Sequence, residues 1–454
     1  MEPLKKGYSF LASIGIVINY SIGVGVFGLP SAFYDGGLPL SMIMIIVMLI
    51  LTILTSFYTM EAMTRTCQRK TQSDDLDDEI YDFTLIASVW HSRQGQKLTS
   101  VLMIIVNYCY LWGYVATGSN TLMTMYWMIK GTPQYCDTKS WSIYCYNTYY
   151  ISLVLFMVIT IPLSYINLSN QSTLQLVMAI YRIVMFTILI TVVFVQLCYG
   201  PVQLGNHKID VAWVNEWKWG NFGVLFSHIS VAFSIQSCLP DALQPVSDKK
   251  KIGWIATIGN LICGVLYIFV ATFCASVFTA SAYNPITLNF EYYTGTNGGF
   301  GNGQPNVIGY VIRYLILTFP IINILNEYPL VVYTLTANIS STLPKSVGGG
   351  WRRMLIVTGA AVPPFILACI IGTVKTIANL TGIFAFLLSY VFPCAFVLAA
   401  RRIGKAKGRN ETEKNRFYAW YTSTTSIVIV FIICGILSII STTFVLYNTM
   451  KGLV

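Results

Sequence analysis

From Gly7 to Tyr34 the chain runs 28 residues without a charge, and from Gly36 to Met60 it runs another 25. About 18 apolar residues suffice to cross a bilayer. The runs are continuous instead of alternating over about 10 residues, so they predict helices and not barrel strands. Similar runs recur to the end of the chain. They predict eleven spans, at about 9–34, 38–64, 98–129, 150–166, 173–199, 220–247, 252–280, 306–340, 352–373, 376–400 and 418–447. The expectation is an all-α polytopic membrane protein forming one transmembrane domain over 1–454, with the lipid bilayer as its surroundings.

Two spans break the pattern. The first carries "SIGVGVFGLP", with three glycines in six residues followed by a proline, and the sixth carries "HISVAFSIQSCLPDALQPVSD". They lie about 210 residues apart, and each opens a block of five spans. Paired, interrupted helices in corresponding halves point to a transporter binding site. A broken helix in lipid exposes N–H and C=O groups that something else must satisfy. The N-terminal end of a half-helix offers free donors and a positive dipole, which suits a carboxylate. Ser21, Gly23, Val24 and Gly25 are therefore candidate main-chain donors to a substrate carboxylate. The carbonyl ends around Phe233, Ser234 and Gln236 are candidate acceptors for an amine or cation. The competing reading is close packing of small residues, with Pro30 as a plain kink.

Composition agrees with the pattern: 55% of residues are hydrophobic and 10% charged, against about a quarter charged in soluble domains. A net charge of +10 would suggest nucleic acid in a soluble protein. Here it reads as topology. With the N-terminus placed in the cytosol, 20 of the 28 Lys and Arg fall on the cytosolic side, 7 on the other, and Arg182 inside a span. That places the C-terminus on the luminal or extracellular side. "MEPLKKGY" leads straight into a full-length span without a cleavable signal.

The cytosolic loop 65–97 holds an acidic stretch at 71–82, read as a solvated loop, with docking of a cytosolic partner as the sharper alternative. Cys136 and Cys145 lie in an outer loop and are disulfide candidates. The other nine cysteines read as small packing residues. With three histidines, no HExxH and no paired mid-membrane aspartates, an enzyme is not expected, nor a metal or cofactor.

The stretch "GVGVFGLPSAF" resembles the first-helix signature of the amino acid/auxin permease family, which belongs to the amino acid–polyamine–organocation superfamily. "TSFYTMEAM" (55–63), "LPDALQPVSDKK" (239–250), "ITLNFE" (286–291), "FPIINILNEYPLVVYTL" (319–335) and "LTGIFAFLLSYVFPCAF" (380–396) extend the resemblance over nearly the whole chain. It implies a leucine-transporter-type fold with a 5+5 inverted repeat, here 9–199 and 220–400, and an extra helix at 418–447. It implies amino acid transport by alternating access, at the cell surface or on a vacuole or lysosome. It also implies a site between helices 1, 3, 6 and 8. That points to Asn107, Tyr108 and Tyr110 on helix 3 and to Asn323, Asn326 and Glu327 on helix 8. Tyr108, Val231, Phe233 and Asn323 would form a pocket suited to a neutral amino acid. The alternative is an amino acid sensor or scaffold that keeps the fold and does not transport.

Ionisable residues inside a membrane are costly and are functional candidates. Glu327 stands near mid-span and is the candidate carrier of a coupling proton. Arg182 stays charged. The resemblance implies a cation site between helices 1 and 8, close to helix 5; an inward-pointing Arg182 would replace sodium there. The expectation is a sodium-independent, proton-coupled or facilitative carrier, against a snorkelling Arg182. Asp241 and Glu61 read as half-solvated helix-end charges, and His228 as a structural hydrogen-bonding residue.

Overall fold

A computed structural model describes residues 7–71, 82–90, 93–131, 142–166, 172–204, 207–296, 299–301, 303–342, 349–406, 417 and 419–452. The first apolar run forms two helices. Ser9 caps the first, α1 (Phe10–Ser21), accepting from the Ala12 N–H. The chain unwinds at Ile22 and Gly23, makes a 3-10 turn over Val24–Gly28, and continues as α2 (Leu29–Gly36). The two parts are bent by 51°. Pro30 sits in the first turn of α2, where a missing N–H costs nothing, so it starts a helix and does not kink one.

Then follow α3 (Leu38–Thr71), α4 (Phe83–Trp90), α5 (Arg93–Ile129), α6 (Ile143–Ser164) and α7 (Ser172–Tyr199). A short antiparallel ribbon, β1 (Val202–Leu204) with β2 (His207–Ile209), leads to α8 (Phe222–Ala232). After a second break comes α9 (Leu239–Leu243), with Pro240 in its first turn. The remaining helices are α10 (Ile252–Phe278), α11 (Val307–Thr342), α12 (Gly349–Ala361), α13 (Pro363–Ile370), α14 (Val374–Phe386), α15 (Phe392–Ala406) and α16 (Thr424–Gly452). A π-turn over Leu387–Val391 joins α14 to α15.

Among the described residues nine helices are long and apolar enough to cross a membrane, and α1 with α2 makes a tenth, broken span. Ten of the eleven expected spans coincide with these helices or with a joined pair. The sixth, α8 with α9, is divided into pieces too short to pass that test. Exposed aliphatic residues fall where lipid would lie, as at Ile151, Val154, Leu155 and Val158 on α6.

The segment 65–97 is in part helical, on either side of the acidic stretch. The helix α3 continues to Thr71, and α4 buries Phe83, Ile86, Ala87 and Trp90, with the Trp90 indole donating to Thr66 at 2.7 Å. The acidic stretch 72–81 lies outside the described residues. One expectation needs correction. Glu61 is not half-solvated: it is fully buried and paired with Arg401 and Arg65. Cys145 is disulfide-bonded, whereas Cys136 lies outside the described residues; the nine other cysteines are free thiols.

Candidate functional site

The break in the first helix is where the site begins. Val24 and Gly25 open the 3-10 turn, and the first N–H groups of a helix have no acceptor within it. The carbonyls at the end of α1 are engaged. The Ser21 carbonyl accepts from the Tyr267 hydroxyl at 2.7 Å and from the Gly23 N–H at 3.1 Å. The three glycines divide in role. A Cβ on Gly25 would lie 2.8 Å from Val231, and one on Gly28 2.8 Å from His228, so these two let the broken helices touch. A Cβ on Gly23 would meet nothing nearer than the Tyr114 hydroxyl at 3.5 Å and Glu327 Oε2 at 3.7 Å. Gly23 faces the cavity.

That cavity is open on one side and encloses about 760 Å³ of free space, the solvent at its opening included. Of the expected binding residues it is lined by Ser21, Gly23, Val24, Gly25, Asn107 and Ser234, with Glu327 and Val231. Tyr110, Tyr114, Cys238, Leu330, Val331 and Thr334 complete much of the wall. The Tyr110 hydroxyl bonds the Ser234 hydroxyl, joining helix 3 to the second break.

Four expected residues do not line it. Tyr108 points the other way and donates to the Gly359 carbonyl at 2.6 Å. Phe233 packs edge-on against Tyr267. Gln236 donates to Thr55 Oγ1 at 2.9 Å and ties the second break to α3. Asn323 stands behind the wall, bonded to Arg182. Asn326, assigned to coupling, is half-buried and also off the cavity. Tyr390, in the π-turn, is a residue that the sequence pattern does not single out: its hydroxyl bonds Thr52 at 2.8 Å and reaches the Phe233 carbonyl at 3.5 Å.

Arg182 is fully buried and points inward. Its Nη2 lies 2.5 Å from Glu327 Oε1. Its Nη1 donates to the Asn19 carbonyl at the end of α1, and its Nε donates to Asn323 Oδ1. One guanidinium thus joins helix 5, the unwinding end of helix 1 and helix 8. The snorkelling alternative does not describe this buried, inward-pointing side chain. His228 donates from Nδ1 to the Val224 carbonyl at 2.9 Å and accepts at Nε2 from the Asn284 amide Nδ2 at 3.1 Å, as a structural residue would. Asp241 is half-buried at the start of α9.

The profile of the family described as "Transmembrane amino acid transporter protein" matches residues 6–446. The transmembrane protein 104 homolog of Drosophila melanogaster is 22% identical, over 94% of this chain and 94% of its own. Human transmembrane protein 104 is 21% identical, over 88% of this chain and 90% of its own. Among solved structures, MhsT in complex with L-phenylalanine superposes with a TM-score of 0.59 at 12% identity, covering 97% of this chain and 100% of MhsT. The manganese transporter of Eremococcus coleocola, in complex with an aromatic bis-isothiourea substituted compound, superposes with a TM-score of 0.57 at 12% identity, covering 95% of this chain and 85% of that one. Identities this low establish the shared fold. The two structures hold different small molecules, so the fold leaves the cargo open.

Proposed function

The chain belongs to the family of transmembrane amino acid transporter proteins, and we propose that it carries neutral amino acids across a membrane by alternating access, without sodium. In this reading eleven spans form a 5+5 inverted repeat over 9–199 and 220–400 plus one helix. The N-terminus is cytosolic, and the membrane is the plasma membrane or that of a lysosome or vacuole. The substrate carboxylate rests on the N–H groups of Val24 and Gly25. The wall of tyrosine, valine and leucine suits an uncharged side chain, since Glu327 is already matched by Arg182.

The single observation that carries sodium independence is the Arg182 guanidinium, bonded at once to the Asn19 carbonyl and to Glu327 of helix 8. A fixed positive charge there supplies what a bound cation would supply, and a second cation beside it would be repelled. Transport is then facilitative or proton-coupled, with Glu327 as the group a proton would reach.

The test is uptake of L-leucine and L-phenylalanine into proteoliposomes, with sodium replaced by choline and with and without an inward proton gradient. The expected result is saturable uptake unchanged by sodium. Uptake that requires sodium overturns the coupling reading. Binding in detergent without flux in liposomes favours the sensor alternative, for which a cytosolic partner at 71–82 is the corresponding proposal.

A further inference from the structure

We propose that Glu327 Oε2 holds the ammonium group of the substrate, so that the helix 8 carboxylate, and not the carbonyl end of the broken sixth helix, reads the amino group. This rests on the amino acid carrier reading above.

The two oxygens of Glu327 have different surroundings. Oε1 is taken by Arg182 at 2.5 Å and by Asn323 Nδ2 at 3.4 Å. Oε2 is buried with the Tyr114 phenol as its neighbouring donor, and a carboxylate oxygen has room for a second one. It faces Gly23, whose missing side chain leaves the way open. Gly23 directly precedes Val24 and Gly25, whose N–H groups are the carboxylate donors. A donor pair and a charged acceptor therefore line one cavity, matching the two ends of an α-amino acid.

Among the carbonyls first expected for the amine, those of Phe233 and Ile235 are already engaged, as is the neighbouring carbonyl of Val231. The Val231 carbonyl accepts from Ser234 at 2.8 Å, the Phe233 carbonyl from the Ile235 N–H at 3.0 Å, and the Ile235 carbonyl from the Cys238 N–H at 2.9 Å. A carboxylate is also the stronger partner for an ammonium. Charge balance points the same way. Arg182 and Glu327 cancel, and a zwitterion adds no net charge to the low-dielectric interior. A des-amino acid would bring an unmatched negative charge and leave Oε2 with the Tyr114 phenol alone.

The test compares L-leucine with 4-methylpentanoate, and L-phenylalanine with 3-phenylpropanoate, by equilibrium binding to the purified full chain. Each pair differs by the ammonium alone. The wild type should prefer the amino acid by about 10- to 100-fold, the range of one charge-assisted hydrogen bond. In Glu327→Gln the preference should fall to within about threefold, with the des-amino acid bound as well or better, because Arg182 then lacks its counter-charge. Should that variant fail to fold, Arg182→Met with Glu327→Gln removes both charges and decides the point in the same way. A preference that survives in a folded variant, or an equal loss of both ligands, overturns the assignment. A wild type that binds neither leucine nor phenylalanine overturns the carrier reading itself, and the assignment with it.

Discussion

Glu61 and Arg401 stand 340 residues apart in sequence and meet through two hydrogen bonds, Nε to Oε1 at 2.9 Å and Nη2 to Oε2 at 2.7 Å. Arg65 adds a third at 2.8 Å. Arg401 also donates to the Thr422 carbonyl and to Thr424, so one side chain joins α3, α15 and the start of α16. Removing one partner of a buried pair costs about 3–5 kcal/mol, because the other charge stays buried. Glu61→Gln should therefore lower the melting temperature of the purified protein markedly. Arg401→Lys should lower it less but clearly, since an ammonium cannot make the forked contact. Thermal unfolding followed by tryptophan fluorescence measures both, and an unchanged midpoint in either would contradict the account. The sequence shows where these charges lie but not what they meet. Glu61 ends an apolar run and so looks like a helix end, and Arg401 begins a basic run and so looks like loop. Only the fold brings them together.

At the scale of the element, the sequence shows the breaks clearly and the faces poorly. Both interruptions fall where glycine, serine and proline cluster. On α5 the cavity face is Asn107, Tyr110 and Tyr114, which follow one another at helical spacing. Tyr108 is one step off that stripe, about 100° around the helix, and bonds α12 instead. The same stripe on α11 runs Glu327, Leu330, Thr334, leaving Asn326 outside. Counting by helical period finds Tyr114 and sets Tyr108 aside. The second break is harder to read, because Gln236 satisfies α3 and Tyr390 reaches in from a π-turn that no local pattern marks. Packing of α14 on α8 supplies a test at this scale. A Cβ on Gly382 would stand 2.4 Å from the Ser227 carbonyl oxygen and 2.5 Å from its Cα, a contact between two backbones that cannot yield. Gly435 on α16 meets nothing within 4 Å. Gly382→Ala should cost at least the ~1–3 kcal/mol of overpacking and reduce yield of folded protein. Gly435→Ala should leave the melting midpoint unchanged or slightly raised.

At the scale of the whole molecule, the two broken helices hold each other on both sides of the cavity. Toward the N-terminus the Tyr8 N–H donates to the Pro245 carbonyl at 2.9 Å, and the Ser247 N–H donates to the Tyr8 carbonyl at 3.1 Å. On the opposite side Asn284 bonds His228 and covers Gly28, while Lys375 at the start of α14 pairs with Asp35 of α2 at 2.5 Å. In the alternating access proposed above, these two closures would open in turn. The Tyr8 contact pairs with Val246 as two parallel extended segments do, close enough for a disulfide between cysteines placed there. Tyr8→Cys with Val246→Cys should support uptake while reduced and lose most of it after mild oxidation, with recovery on reduction. The two single variants, taken through the same oxidation and reduction, control for the native cysteines. Binding of L-leucine to the oxidised double variant should persist, because the cavity itself is untouched. Uptake that continues through a formed cross-link would mean that this closure never opens during transport, and the cargo would then need a path that does not part α1 from the segment after α9.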